Sequence, residues 1–159
     1  MHALIRRIAS LCLLLVAGTA MAQQPACAAL DFDDDGKSLW AAHPKVVGVF
    51  IQYLVGKPTD TGFFKYRLQL PAGFDLPAHT HGNDLAMTVL CGSMRIRTGD
   101  NDVLGPPQVL GTGAAAYYPA GSTHAEASPD GAVIEVSGIG PMSTQMLAPT
   151  EPVGAQAPH

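Results

Sequence analysis

The chain is 159 residues long, 47% hydrophobic and 14% charged, with a formal net charge of −4 at pH 7. An acidic balance argues against a nucleic-acid partner and against anionic membrane surfaces. The length suits one domain with a core of useful size.

The chain opens as a secretory signal peptide would. Met1 to Arg7 carries two arginines and no acid, and Ile8 to Gly18 is mostly apolar. Ala20-Met21-Ala22 then supplies the small-x-small cleavage pattern, which makes 1–22 the signal peptide and Gln23 the new N-terminus. A retained anchor is the competing reading, but the apolar run is short of the roughly 18 residues a span needs. Gln24-Pro25-Ala26-Cys27 offers only the small residue of a lipoprotein box. The expectation is therefore an exported protein, periplasmic or secreted, with no membrane contact after cleavage. Taking Arg6 and Arg7 from the nine basic residues leaves seven against thirteen acids, a mature net charge of −6.

Residues 23–45 read as an N-terminal tail. Within it, Asp31, Asp33 and Asp35 followed by Gly36 match the start of a calcium loop. Position twelve is Ala42, where a bidentate glutamate belongs, so a solvated acidic tail is the plainer reading. His43, before Pro44, reads as a surface residue.

The first apolar segment is Val46 to Val55. Phe63 to Leu70 alternates cleanly, with Phe64, Tyr66, Leu68 and Leu70 on one face and Lys65, Arg67 and Gln69 on the other. A period of two marks a half-buried strand. Shorter strands are expected at Ala86–Leu90, Ser93–Thr98, Val109–Leu110, Ala114–Tyr118 and Ala132–Ser137. Turn signals stand between them: Pro71-Ala72-Gly73, Cys91-Gly92, Gly105-Pro106-Pro107, Pro119-Ala120-Gly121 and Pro129-Asp130-Gly131. Many short strands with regular turns predict an all-β sandwich or barrel over 46–147. The last residues, 148–159, rich in Pro, Ala and Gln, read as a disordered tail. Trp40, Tyr117 and Tyr118 are expected in the core or in a cavity wall. Arg67, Arg95 and Arg97 alternate with apolar residues and are expected to face solvent.

Cys27 and Cys91 remain after cleavage, in a compartment that permits disulfides. They could bridge the tail to the barrel, but sequence gives no distance between them, and the plainer reading of Cys91 is a small apolar residue buried at a strand end.

The histidines carry the chemistry. His79 and His81 stand two apart, so on a strand both rings face the same space. His124 follows the Pro119-Ala120-Gly121 turn, where antiparallel pairing would bring it opposite them. Neutral imidazole is a good ligand for divalent transition metals.

Two segments resemble cupin motifs. Gly73-Phe-Asp-Leu-Pro-Ala-His79-Thr-His81, closed by Gly92, is similar to the first: glycine, five residues, His-x-His, then a closing glycine. Gly113-Ala-Ala-Ala-Tyr-Tyr-Pro119-Ala-Gly121-Ser-Thr-His124 is similar to the second: glycine, five residues, Pro-x-Gly-x-x-His. The wider stretch from Phe50 to Met142, including Met87-Thr-Val-Leu-Cys-Gly92 and Gly138-Ile-Gly-Pro141, resembles small single-domain cupins. The resemblance implies a single-domain cupin jelly-roll β-barrel enclosing a ligand cavity. It also implies a metal ion (Fe, Mn, Ni or Zn) on His79, His81 and His124, a small-molecule ligand, and dimerisation through sheet edges. Gly73 and Gly113 would take positive φ, and Gly92 would make a hairpin turn.

The sequence also departs from that family. The glutamate expected as a fourth ligand falls on Leu85, or on Ala86 with longer spacing, and the second motif's terminal asparagine is Ser128. Asp84 is a substitute ligand if it lies in a loop, and otherwise caps a turn. Glu126 would share His124's face as a ligand or an acid–base group. Three readings of function follow: a metalloenzyme such as a dioxygenase, isomerase or lyase; a non-catalytic small-molecule or metal-binding module; and a metal-free structural barrel. The fold does not choose among them.

Overall fold

The computed structural model describes residues 39–100 and 103–147. The signal peptide, Cys27, the acidic run at Asp31–Asp35 and the tail from residue 148 all lie outside the described residues.

Among the described residues there are nine strands and no helix. They are β1 (Ala41–Ala42), β2 (Phe50–Val55), β3 (Gly62–His81), β4 (Leu85–Asp100), β5 (Val103–Leu104), β6 (Gln108–Gly111), β7 (Ala115–Tyr118), β8 (Thr123–Gly140) and β9 (Thr144–Met146). The order is β1-β2-β3-β8-β4-β5, with β6 and β7 also pairing with β4, and β9 pairing with β3. These strand pairs are all antiparallel.

The alternation along β3 does what its period requires. Phe64, Tyr66 and Leu70 are buried, and Leu68 packs against the core. On the opposite face, Lys65 and Arg67 reach Glu135 of β8 at 2.8 and 3.3 Å. Arg95 and Arg97 are exposed, and Arg97 Nε donates to Gly105 O at 2.9 Å. Phe64, Met87, Val89 and Met94 anchor the interior, completely shielded from water.

Three strands are longer than their turn signals suggest. Pro71-Ala72-Gly73, Cys91-Gly92 and Pro129-Asp130-Gly131 lie inside β3, β4 and β8 rather than between strands. Gly73, Gly92 and Gly131 still take positive φ, at 77°, 79° and 84°. Positive-φ glycines let a strand turn a barrel corner while its ladder continues. Gly92 is therefore no hairpin turn: the β4–β8 register shifts on either side of it, between Val89 and Cys91 and between Gly92 and Arg95. A Cβ there would collide with the carbonyl of Gly131.

The N-terminal edge also differs from expectation. Ala41–Ala42, within the stretch read as tail, pairs with Ile51 and Phe50 of β2. The segment between β1 and β2 is a loop, closed by His43 N donating to Val49 O at 2.8 Å. Tyr117 is 61% exposed, not in a wall, whereas Tyr118 is buried. Cys91 is disulfide-bonded, against the plainer reading of it as a small apolar residue; Cys27 lies outside the described residues.

Candidate metal centre

The site begins with a bulge. Leu76 of β3 pairs with Glu126 of β8, and His79 pairs with His124, so three steps on β3 oppose two on β8. Pro77 falls within this extra length, where a missing N–H costs no ladder bond. The extra residue flips the side-chain parity of β3. Leu68, Leu70, Phe74 and Leu76 line the interior cavity at even positions, and His79 and His81 line it at odd ones. Without the bulge the two histidines would face outward.

His124 reaches the same space from β8. Its position depends on the turn before it, which is held by Gly121 N donating to His81 O at 2.8 Å and Ser122 N to Pro119 O at 3.0 Å. Asp84 fixes that turn from the β3–β4 connection, accepting Ala120 N at 2.8 Å and the Tyr117 hydroxyl. These two bonds hold its carboxyl below the usual carboxylate range. Asp84 lies in a loop, as a substitute ligand would need, yet it is exposed, bonded to the turn and outside the three-histidine group.

The three histidines converge. Ring centroids are 4.9 Å apart for His79 and His81, 4.2 Å for His79 and His124, and 5.1 Å for His81 and His124. One ligand atom from each lies within 4.8 Å of the others, close enough to share an ion. The outer nitrogens are occupied. His79 Nδ1 lies 2.8 Å from Pro77 O, and His124 Nδ1 lies 3.1 Å from Ser122 O. A carbonyl only accepts, so each Nδ1 carries the proton and each Nε2 keeps its lone pair. His81 Nδ1 lies 3.0 Å from the Thr144 hydroxyl.

One atom tests the fit to a metal directly. His124 Nε2 is buried with no hydrogen-bond partner. A buried acceptor left unpaired is costly, and an ion shared with two neighbouring rings is what would satisfy it. Burial, with His79 close by, lowers the pKa values of His81 and His124 to about 4, so both are neutral at pH 7. Neutral imidazole is the form that ligates.

The remaining wall sets what else the site can do. A cavity of about 500 Å³ opens beside the histidines. Glu126 lines it, two residues beyond His124 on the same face, and accepts the Tyr118 hydroxyl at 2.8 Å. Burial pushes the Glu126 carboxyl up, and the Tyr118 bond partly offsets this. Glu126 does not belong to the three-residue ligand group.

No protein-family model and no curated protein matches the sequence. Solved structures do match the fold. An RmlC-like cupin from Shewanella frigidimarina NCIMB 400 aligns with a TM-score of 0.55 at 14% identity, over 70% of this chain and 91% of that one. This is a cupin fold. The DMSP lyase DddQ from Ruegeria pomeroyi DSS-3 aligns with a TM-score of 0.52 at 21% identity, over 72% of this chain. This chain spans 55% of that lyase. An oxalate decarboxylase from Bacillus subtilis, described for its Mn(II) centres, aligns with a TM-score of 0.50 at 19% identity, over 58% of this chain and 25% of that one.

Within the cupin barrel the departures of the sequence become concrete. Leu85, at the expected glutamate position, is buried and lines the cavity, so an apolar side chain occupies the carboxylate's place. Ala86 is exposed. Ser128, at the expected asparagine, is fully buried and donates to Ser93 O at 2.9 Å, a packing role away from the histidines.

His43 was missed by sequence reasoning. It is half-buried and lines the cavity. Its Nδ1 accepts Val46 N at 3.0 Å and Lys45 N at 3.2 Å. That is the reverse of the arrangement at His79 and His124, and it leaves Nε2 as the donor. Burial and the Lys45 charge lower its pKa, which keeps it neutral. No motif covers His43; only the folding back of the 43–49 loop brings it to the cavity. Met142, Thr144 and Met146 complete the lining from the segment around β9, too short to show any period.

Proposed function

We propose that this chain is an exported cupin that holds one divalent metal ion on His79, His81 and His124 and acts on a small organic molecule bound beside it. The observation that carries the reading is the buried, partnerless His124 Nε2 facing two neighbouring imidazoles. The likeness in fold to a decarboxylase with Mn(II) centres and to a lyase supports it at the level of architecture. The N-terminal sequence supports export.

Such an ion would supply Lewis-acid or dioxygen chemistry at its open positions. The chain's own residues would do the rest. Pro77 O and Ser122 O hold two of the rings in the ligating tautomer. Glu126, with its carboxyl raised by burial and its Oε1 bonded by Tyr118, is placed to take or give a proton to a bound molecule. The apolar wall excludes water from the bound molecule.

The apolar Leu85 favours a second reading, a non-catalytic binding module. Three neutral ligands leave the ion's charge uncompensated, which lowers affinity relative to a site with a carboxylate.

Metal analysis of protein purified without a histidine tag tests the proposal. One equivalent of metal, lost in His124→Ala, supports it; a ratio near zero after incubation with iron, manganese, nickel and zinc refutes it. Turnover that survives in metal-free His124→Ala would remove the centre from any catalytic role.

A further inference from the structure

The cavity wall is mostly apolar, with Val49, Leu68, Leu70, Phe74, Ile134 and Val136 in its body, and its main polar group is His79, His81, His124 and Glu126; His43, Lys45, Tyr66 and Thr144 add scattered polar atoms. Lys45 is the one basic side chain among the described lining residues apart from the histidines, and it is exposed at the edge. Arg67 is bound to Glu135 on the outer face. A ligand with a second carboxylate would therefore find no buried cation to pair it, only the neutral His43 ring N–H, in a cavity that already holds Glu126. A ligand with many hydroxyls would leave most of them unpaired against aliphatic side chains. Both are unfavourable. The wall rewards apolar surface in proportion to the area it covers.

We infer that the molecule taken by this site has a mostly apolar, ring-sized or branched body and a single oxygen-bearing end directed at the three histidines. The inference rests on the metal reading above for the oxygen-bearing end, and on the wall alone for the body. It excludes small dianionic acids and sugars as ligands. A cavity of about 500 Å³ is within the range that accommodates one such molecule.

A matched pair of chelators separates the two parts. Benzohydroxamate and acetohydroxamate carry the same metal-binding head and differ in the body. Titrated into the metal-loaded protein by calorimetry, benzohydroxamate should bind at least ten-fold more tightly, and oxalate should bind more weakly than benzohydroxamate. Leu76→Trp, which narrows the cavity from β3, should abolish the ten-fold preference. Equal affinities for the two hydroxamates, or tightest binding of oxalate, overturn the inference and leave the metal reading standing. If metal analysis of the same sample finds no ion, the metal reading has failed. The body is then read with 2-naphthol, which needs no metal: fluorescence-detected binding to the unaltered chain sustains the apolar-body inference, and its absence overturns that too.

Discussion

The ring of Tyr118 lies stacked on the imidazole of His124, with centroids 4.1 Å apart and planes inclined by 12°, while its hydroxyl donates to Glu126. One side chain thus braces a candidate ligand and satisfies the cavity's carboxylate. Tyr118→Phe keeps the stacking and removes the hydrogen bond. It should cost about 1–2 kcal/mol of stability, because Glu126 loses a buried partner, and should leave metal affinity nearly unchanged. Tyr118→Ala removes both and should also weaken metal binding by roughly ten-fold. Denaturant melts and metal titrations of the two variants check this.

Restoring a carboxylate at the expected family position should exchange stability for affinity. Leu85 is 4% exposed, so Leu85→Glu buries an acid without a designed partner. In chelator the variant should melt at a lower temperature than the unaltered protein. Added metal should raise its melting point by more than it raises that of the unaltered protein.

Asp84 acts as a turn brace and not as a ligand. Asp84→Ala should retain one equivalent of metal with weaker affinity, because the turn ahead of His124 loosens. Loss of the stoichiometric ion would instead make Asp84 a ligand.

The metal-free protein should weaken in mild acid. His81 and His124 have pKa values of about 4 in the folded chain, against an ordinary value of 6.5. Above pH 6.5 both folded and unfolded chains hold these rings neutral, and their contribution to stability is complete. As pH falls from 6.5 towards 4, the unfolded chain takes up protons that the folded chain refuses, and stability declines. Thermal melts in chelator across this window should show the decline, and His124→Gln should make it shallower.

Gly92→Ala should be among the most damaging small substitutions. It forces a side chain into φ 79° and against the Gly131 carbonyl at the β4–β8 crossing. A loss of about 2 kcal/mol or more is expected in denaturant melts.

The jelly-roll fold and the meeting of His79, His81 and His124 were legible because each rests on short-range pattern: a period of two, and paired motifs with fixed spacing. The places where the reading failed share a different physical origin. Gly92 and the Pro129-Asp130-Gly131 segment carry the residues of a turn, yet barrel closure uses them as corners within one strand. The Pro77 bulge, which reverses the parity of β3, is visible only once β8 is laid beside it. His43 and Tyr117 were misplaced because their surroundings depend on how a loop and an outer strand face fold back, and no local period encodes that.

His79 and His124 face one another across the β3–β8 ladder, with all of β4 to β7 intervening along the chain. An ion held between them would act as a removable cross-link, closing a long loop much as a disulfide does. Separation of these two strands would then have to wait for the ion to depart. The loaded protein's lifetime against unfolding would track the metal's off-rate, and a chelator would shorten it without touching a single covalent bond.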